Sequence, residues 1–311
     1  MAGASGLSES DVAREKLELV EVSPRDGLQN EPDVVSTEKK LELIDRIVAA
    51  GFRRMEAASF VNPKKVPQMA DGDAVFAGLP KRDDATFIAL ALNPRGVERA
   101  IAAGAKEINY VFCASDGFSI RNNGAPVDET FRVWPEVAHK ARAGGARLSA
   151  TISTAFGCPF DGEVSVERVV AVAELCTQQD IFELALADTI GVAAPSDVRE
   201  RFRAVREVAG GLQLRAHFHN TRNTALANAA AAVEEGVRVL DGSLGGIGGC
   251  PFAPGAAGNV PTEDLLYMFD RMGYETGVDL DAAIETAHFI AGVLGRKTPG
   301  MVSRAPKWPH A

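Results

Sequence analysis

Sulfur is scarce in this chain. Four cysteines, Cys113, Cys158, Cys176 and Cys250, stand among 311 residues and never form C-x-x-C, which excludes a disulfide scaffold and a thioredoxin-like redox motif. They read as free thiols: Cys113 in a strand and Cys176 in a helix as small buried hydrophobes, Cys250 in a glycine-rich loop as something else. A basic excess is also lacking. Lysine and arginine number 33 against 42 acidic residues, a net charge of −9, which argues against nucleic-acid or anionic-membrane partners. A phosphorylated cofactor needs only a local patch and stays open. No apolar run reaches 18 residues, so no membrane-spanning segment is expected. The start, Met1 to Glu15, has neither an apolar signal core nor Arg-rich amphipathic character, and Pro306 to Ala311 carries no address signal. The expected location is the cytoplasm.

What is present is a repeated alternation of short apolar runs and amphipathic stretches. Strands are expected at Leu17–Ser23, Arg53–Phe60, Thr86–Leu92, Glu107–Cys113, Arg147–Thr154, Phe182–Asp188, Leu212–His219 and Val237–Ser243. Helices are expected at Thr37–Ala50, near Ala70–Leu79, and at Pro94–Ala103, Val127–Ala143, Val166–Gln178, Pro195–Val208, Thr224–Glu235 and near Thr262–Met272. Gly51, Gly104, Gly144, Gly210 and Gly236 follow helical stretches, as C-terminal caps do. Eight strand–helix pairs without a linker predict an α/β fold of the (β/α)8 TIM-barrel type, one domain over residues 1–311. The barrel spans about 17–275, and a C-terminal extension of about 276–311 carries one more helix at Asp281–Leu294.

In such a barrel, chemistry sits at the carboxyl ends of the strands. There the chain places Arg25 and Asp26 after strand 1, Glu56 on strand 2, Asp188 on strand 6, His217 and His219 on strand 7, and Cys250 and Asn259 after strand 8. Residues i and i+2 of a strand share a face, so His217 and His219 can bind one ion. Asp26 and Asn259, on neighbouring strand ends, can add the oxygen ligands that a hard divalent cation takes. Arg25 can stabilise an enolate, with Glu56 holding it through a bidentate pair. The other histidines, His139, His288 and His310, have no such neighbours. Lys64, Lys65 and Arg121 are candidates for a coenzyme A patch on charge alone.

The segments Ser23-Pro24-Arg25-Asp26-Gly27-Leu28-Gln29-Asn30-Glu31, Glu56-Ala57-Ala58-Ser59-Phe60-Val61, Gly157-Cys158-Pro159-Phe160 and Asp188-Thr189-Ile190-Gly191-Val192 resemble the hydroxymethylglutaryl-CoA lyases. The most specific stretch is Gly246-Ile247-Gly248-Gly249-Cys250-Pro251-Phe252, and the resemblance runs from about Leu17 to Lys297. It implies metal ligands at Asp26, His217, His219 and Asn259 and an enolate-stabilising Arg25 with its companion Glu56. It further implies an acidic site residue at Asp188 and a catalytic loop cysteine at Cys250. The implied cofactor is a divalent cation, magnesium or manganese. The implied substrate is an acyl-CoA thioester, cleaved by retro-Claisen chemistry with Asp26 or His217 as base, and the implied assembly is a homodimer. One departure stands out. The lyases have Asp-Thr-Tyr-Gly where this chain has Asn220-Thr221-Arg222-Asn223, closer to the isopropylmalate and homocitrate synthases. A transferase joining acetyl-CoA to a 2-keto acid is therefore the alternative. Arg222 is expected to make the rim more positive and favour substrates with a branch carboxylate.

Overall fold

The computed structural model describes residues 14–249 and 258–308. Eight parallel strands close into a barrel: β1 (Glu18–Glu21), β2 (Arg54–Ser59), β3 (Thr86–Ala91), β4 (Glu107–Cys113), β5 (Arg147–Ser153), β6 (Glu183–Asp188), β7 (Gln213–Phe218) and β8 (Val239–Gly242). Closure runs from Glu18 opposite Val239 to Glu21 opposite Gly242. Two short strands, Glu15–Lys16 and Tyr274–Glu275, pair outside it.

The outer layer follows the sequence with instructive exceptions. Helix α1 (Thr37–Ala49) starts where the Ser36 side chain accepts the Lys39 N–H, and it buries Leu43, Ile44, Ile47 and Val48. Helices α2 (Gly72–Gly78) and α3 (Pro94–Ala102) come next. The single helix expected over 127–143 is two, α5 (Val127–Phe131) and α6 (Trp134–Ala143), because Pro135 opens the second at its first turn. A further short helix, α4 (Asp116–Asn122), precedes them. The expected cap at Gly144 is shifted: Gly144 keeps right-handed geometry, and Gly145 takes the positive φ of 71°. A Cβ at Gly144 would lie 2.5 Å from Ile101, so the glycine there serves close packing.

Helices α7 (Val166–Cys176), α8 (Pro195–Val208), α9 (Ala225–Glu234) and α10 (Thr262–Arg271) complete the ring. The extra helix α11 (Leu280–Val293) packs against α1 and α10, over the seam where β8 meets β1. Cys113, Cys158 and Cys176 are buried free thiols.

Two buried carboxyls lace that seam. Glu21 accepts N–H bonds from Ser23 (2.8 Å) and Leu244 (3.0 Å) and the Thr262 hydroxyl (2.7 Å). Glu263 accepts the Gly245 N–H at 2.9 Å. Burial outweighs these bonds and pushes each carboxyl up to about 7. The folded state therefore keeps protons that the unfolded chain releases above its ordinary carboxyl range. The contribution to stability is fully present at low pH and is lost as pH rises through about 7, on the order of 3 kcal/mol for each group. The fall in Tm between pH 5 and pH 8 should accordingly be shallower in Glu21→Gln and Glu263→Gln than in the unsubstituted protein. Parallel Tm profiles would show that these carboxyls do not carry the effect.

Candidate active site

Alternate residues of each strand point inward, and at the carboxyl end they line a cavity of about 710 Å³. Its wall includes Arg25, Asp26, Glu56, Asn109, Thr151, Arg215, His217, His219 and Asp241. Arg25 and Asp26 sit in a widened helical turn, Ser23–Gly27, in which the Gly27 N–H reaches back to the Val22 carbonyl at 3.1 Å. Such a π-type turn, set off by Pro24, ends β1 and points both side chains over the mouth.

The ligand cluster predicted on strand ends 7 and 1 is assembled. Asp26, His217 and His219 each offer a ligand atom, and these atoms all lie within 4.8 Å of one another. The two imidazole centroids are 5.1 Å apart, and His219 Nε2 is 3.8 Å from Asp26 Oδ2. Asn259 pairs with His219 as an isolated antiparallel bridge, which brings it alongside. Its Nδ2 donates to Asp26 Oδ2 (2.8 Å) and to the Ile247 carbonyl (3.1 Å). Both partners are acceptors, so the amide orientation is fixed and Oδ1 is left buried without a hydrogen bond. That oxygen, with two imidazoles and a carboxylate, is a donor set that a divalent cation takes. The residues fit the ion. Gly248 allows the approach: at φ 99°, a Cβ there would stand 2.7 Å from Asn259 Nδ2.

Arg25 is held as expected by Glu56, but the pair is not fork-to-fork. Its Nε (2.7 Å) and Nη2 both donate to Glu56 Oε2, while Nη1 donates to Asp26. Glu56 Oε1 instead accepts Asn109 Nδ2 at 2.9 Å. Two of the guanidinium's five N–H groups remain for a ligand. Burial would raise the Asp26 carboxyl, but Arg25 and the two histidines hold it well below the usual range.

Some residues lie elsewhere or were missed. Both Asp188 oxygens accept backbone N–H groups, from Val192 (2.9 Å) and Ala193 (3.0 Å), and Asp188 does not line the cavity. Arg222 is not a free positive rim. It donates to the carbonyls of Ile190 and Gly191 (3.2 and 2.9 Å), which corrects the expectation placed on it. Asn220 caps α9 by accepting the Ala225 N–H. Cys250 lies outside the described residues; Gly249 beside it lines the cavity, and its carbonyl accepts Asn30 Nδ2. Of the proposed basic patch, Lys65 and Arg121 line the cavity, whereas Lys64 does not. Sequence reasoning passed over Asp241, whose Oδ1 lies 2.6 Å from His217 Nδ1. That contact fixes the ring orientation and turns Nε2 to the cluster. Only the i, i+2 spacing from Val239 hinted that Asp241 faces inward.

Known proteins resemble this chain over nearly its whole length. The family model described as HMGL-like matches residues 16–290. The (R)-citramalyl-CoA lyase of Chloroflexus aurantiacus is 44% identical over 307 residues, covering 95% of this chain and 97% of the relative. The mitochondrial hydroxymethylglutaryl-CoA lyase of Rattus norvegicus is 41% identical over 302 residues, 97% and 93% of the two chains. Among solved structures, an HMG-CoA lyase from A. baumannii, in complex with coenzyme A and 3-methylmalate, superimposes with a TM-score of 0.91 at 40% identity, covering 95% of this chain and 97% of that one. The molecule is thus a carbon–carbon lyase built on a (β/α)8 barrel. It belongs to the HMGL-like family.

Removing a ligand or its orienting partner should be visible without turnover. Titrated with Mn2+, the protein should bind one ion per chain. His219→Ala should bind none at the same concentrations with an unchanged circular-dichroism spectrum, and Asp241→Asn should bind about 10–100-fold more weakly. Equal Mn2+ affinity in all three proteins would dissolve the assignment of this cluster.

Proposed function

We propose that the chain cleaves the C2–C3 bond of a short, branched 3-hydroxyacyl-CoA carrying a free carboxylate, 3-hydroxy-3-methylglutaryl-CoA first, to acetyl-CoA and acetoacetate. The observation that carries this reading is an arginine with N–H groups to spare, fixed by Glu56 and Asp26, beside the Asp26–His217–His219 cluster. An oxyanion donor next to an ion-binding cluster is what a retro-Claisen cleavage needs. A divalent cation held by Asp26, His217, His219 and Asn259 would supply Lewis acidity to the C3 hydroxyl.

The protein groups then divide the work. The hydroxyl proton goes to Asp26 or His217. Arg25 weakens Asp26 as an acceptor, whereas for His217 burial is overridden by Asp241, which raises its proton affinity. His217 Nε2 has one lone pair, so it would serve either as a ligand or as the base, and Asp26, His219 and Asn259 would hold the cation beside it. As the hydroxyl oxygen becomes a ketone, the C2–C3 pair moves into the thioester enolate, whose oxygen Arg25 stabilises. Cys250, assigned by sequence alone, returns a proton to C2. Lys65 and Arg121 at the mouth suit the coenzyme A phosphates.

The relatives named above are lyases, which favours cleavage over condensation. Purified protein incubated with 3-hydroxy-3-methylglutaryl-CoA and citramalyl-CoA should release acetyl-CoA with acetoacetate from the first. Pyruvate from citramalyl-CoA alone would move the assignment to that substrate. Cleavage of neither, with condensation of acetyl-CoA and a 2-keto acid, would replace the reading.

Arg25→Met should lower kcat by about 10²–10³, on the order of 2.7–4 kcal/mol, with KM little changed. A change in KM alone would make Arg25 a binding residue only. Of the four cysteines, Cys250→Ala alone should slow turnover greatly; full activity in that variant removes it from the mechanism.

A further inference from the structure

Beneath the site lies a guanidinium that the proposed chemistry does not use. Arg215 stands on β7 two residues before His217, on the same face, and is 1% exposed. Its Nη2 is 3.7 Å from Glu56 Oε1 and 3.4 Å from Thr151 Oγ1. Its Nε is 3.6 Å from Asp241 Oδ2 and 3.3 Å from Glu183 Oε1. The opposite oxygen of Glu56 holds Arg25, and the opposite oxygen of Asp241 meets His217. One buried cation therefore faces both carboxylates that orient the two groups assigned to the substrate.

Arg215 is not placed as an ordinary ion-pair partner. A buried guanidinium is usually satisfied by a bidentate, hydrogen-bonded carboxylate. Here Nε and Nη1 are buried without a hydrogen bond, and the compensation is charge spread over three carboxylates. Taken away, it would leave Glu56 and Asp241 as neighbouring buried anions, and their repulsion would turn both carboxylates and the groups they hold. We infer that Arg215 is a positioning residue that couples the Arg25–Glu56 pair to the His217–Asp241 pair. It sets the distance between the enolate-stabilising guanidinium and the imidazole, an inference that rests on the function proposed above. Thr151 and Asn109 complete the same layer: Thr151 Oγ1 donates to Asn109 Oδ1 at 2.9 Å, and Asn109 donates to Glu56.

The test is a pair of double-mutant cycles on the full chain. Arg215→Lys keeps the charge but cannot face both carboxylates; Arg215→Gln removes the charge and is made beside it. In R215K the Mn2+ affinity, measured without substrate, should fall about 10-fold, and kcat should fall about 10–100-fold while KM stays within about 3-fold. In the Asp241→Asn background, adding R215K should leave Mn2+ affinity unchanged within about 2-fold. In the Glu56→Gln background it should lower kcat far less than it does alone. Four outcomes would overturn the inference: additive effects in both cycles, a lowered Tm with metal affinity and kcat intact, a rise in KM alone, or failure of both R215K and R215Q to fold. The Mn2+ cycle needs no thioester, so it reads Arg215 even where the proposed substrate is not cleaved.

Discussion

The barrel is held open at one end and shut at the other by a column of buried charge. At the amino-terminal end Arg54 donates to Glu183 (2.6 and 2.8 Å) and to Glu107 (3.0 Å), while Arg147 and Gln213 complete those carboxylates. Arg215 stands above Glu183, and Glu56 and Asp241 stand above Arg215. Barrels of this type are commonly filled by layers of branched aliphatic side chains. Here the inward cluster Val20, Val22, Ile88 and Val239 occupies only one side. Each ion in the column would be prohibitive alone; together the opposite charges overcome burial and keep Glu56 and Glu183 ionised. The arrangement tolerates little movement, because displacing one member strands its neighbours.

That rigidity is what the catalytic mouth inherits. Arg25 follows β1 and His217 stands on β7, and each is oriented by a carboxylate from a different strand. Glu56 clamps the first and Asp241 the second, and both clamps rest on the column. A register irregularity falls between Glu56 and Ala58 on β2, beside this clamp. On the far side of the cluster, the segment after β8 is pinned by Glu21, Glu263 and the Gly300 N–H, which donates to the Gly245 carbonyl. Ligand-bearing loops thus sit on a scaffold whose own charges are satisfied, as preorganised catalysis requires.

Much of this was legible in the sequence, for reasons of period and punctuation. Parallel strands in a barrel alternate with helices of regular length, so the eight units stand out, and His217 and His219 at i and i+2 announce a shared face. What escaped was set by contacts between strands far apart in the chain. Asp241 lies 24 residues from His217 and Asn109 lies 53 from Glu56, and no local pattern links them. Arg215 carries no sequence signal beyond its spacing of two from His217, which puts both on one face of the strand. The fourth helix broke at Pro135, and Gly144 was a packing glycine beside Ile101 rather than a left-handed cap.

The departure at Asn220–Asn223 shows how a motif can mislead about specificity. Charge alone suggested that Arg222 would greet a substrate carboxylate. In the fold it is engaged with the carbonyls after β6, and Asn220 Oδ1 accepts the Ala225 N–H at the start of α9, so both side chains are occupied at the β6–β7 junction. Discrimination among acyl groups then falls to the cavity wall, where Leu90, Val111, Thr151 and Ala187 line the space beside the cluster. 3-Hydroxy-3-methylglutaryl and citramalyl thioesters differ by one methylene between the hydroxyl-bearing carbon and the carboxylate. A single methylene in such a pocket is worth roughly 1–3 kcal/mol, which one or two side chains on this wall can supply. A difference of that size needs only a change among the lining residues of β3 to β6, and none in the ionic column or the ligand cluster.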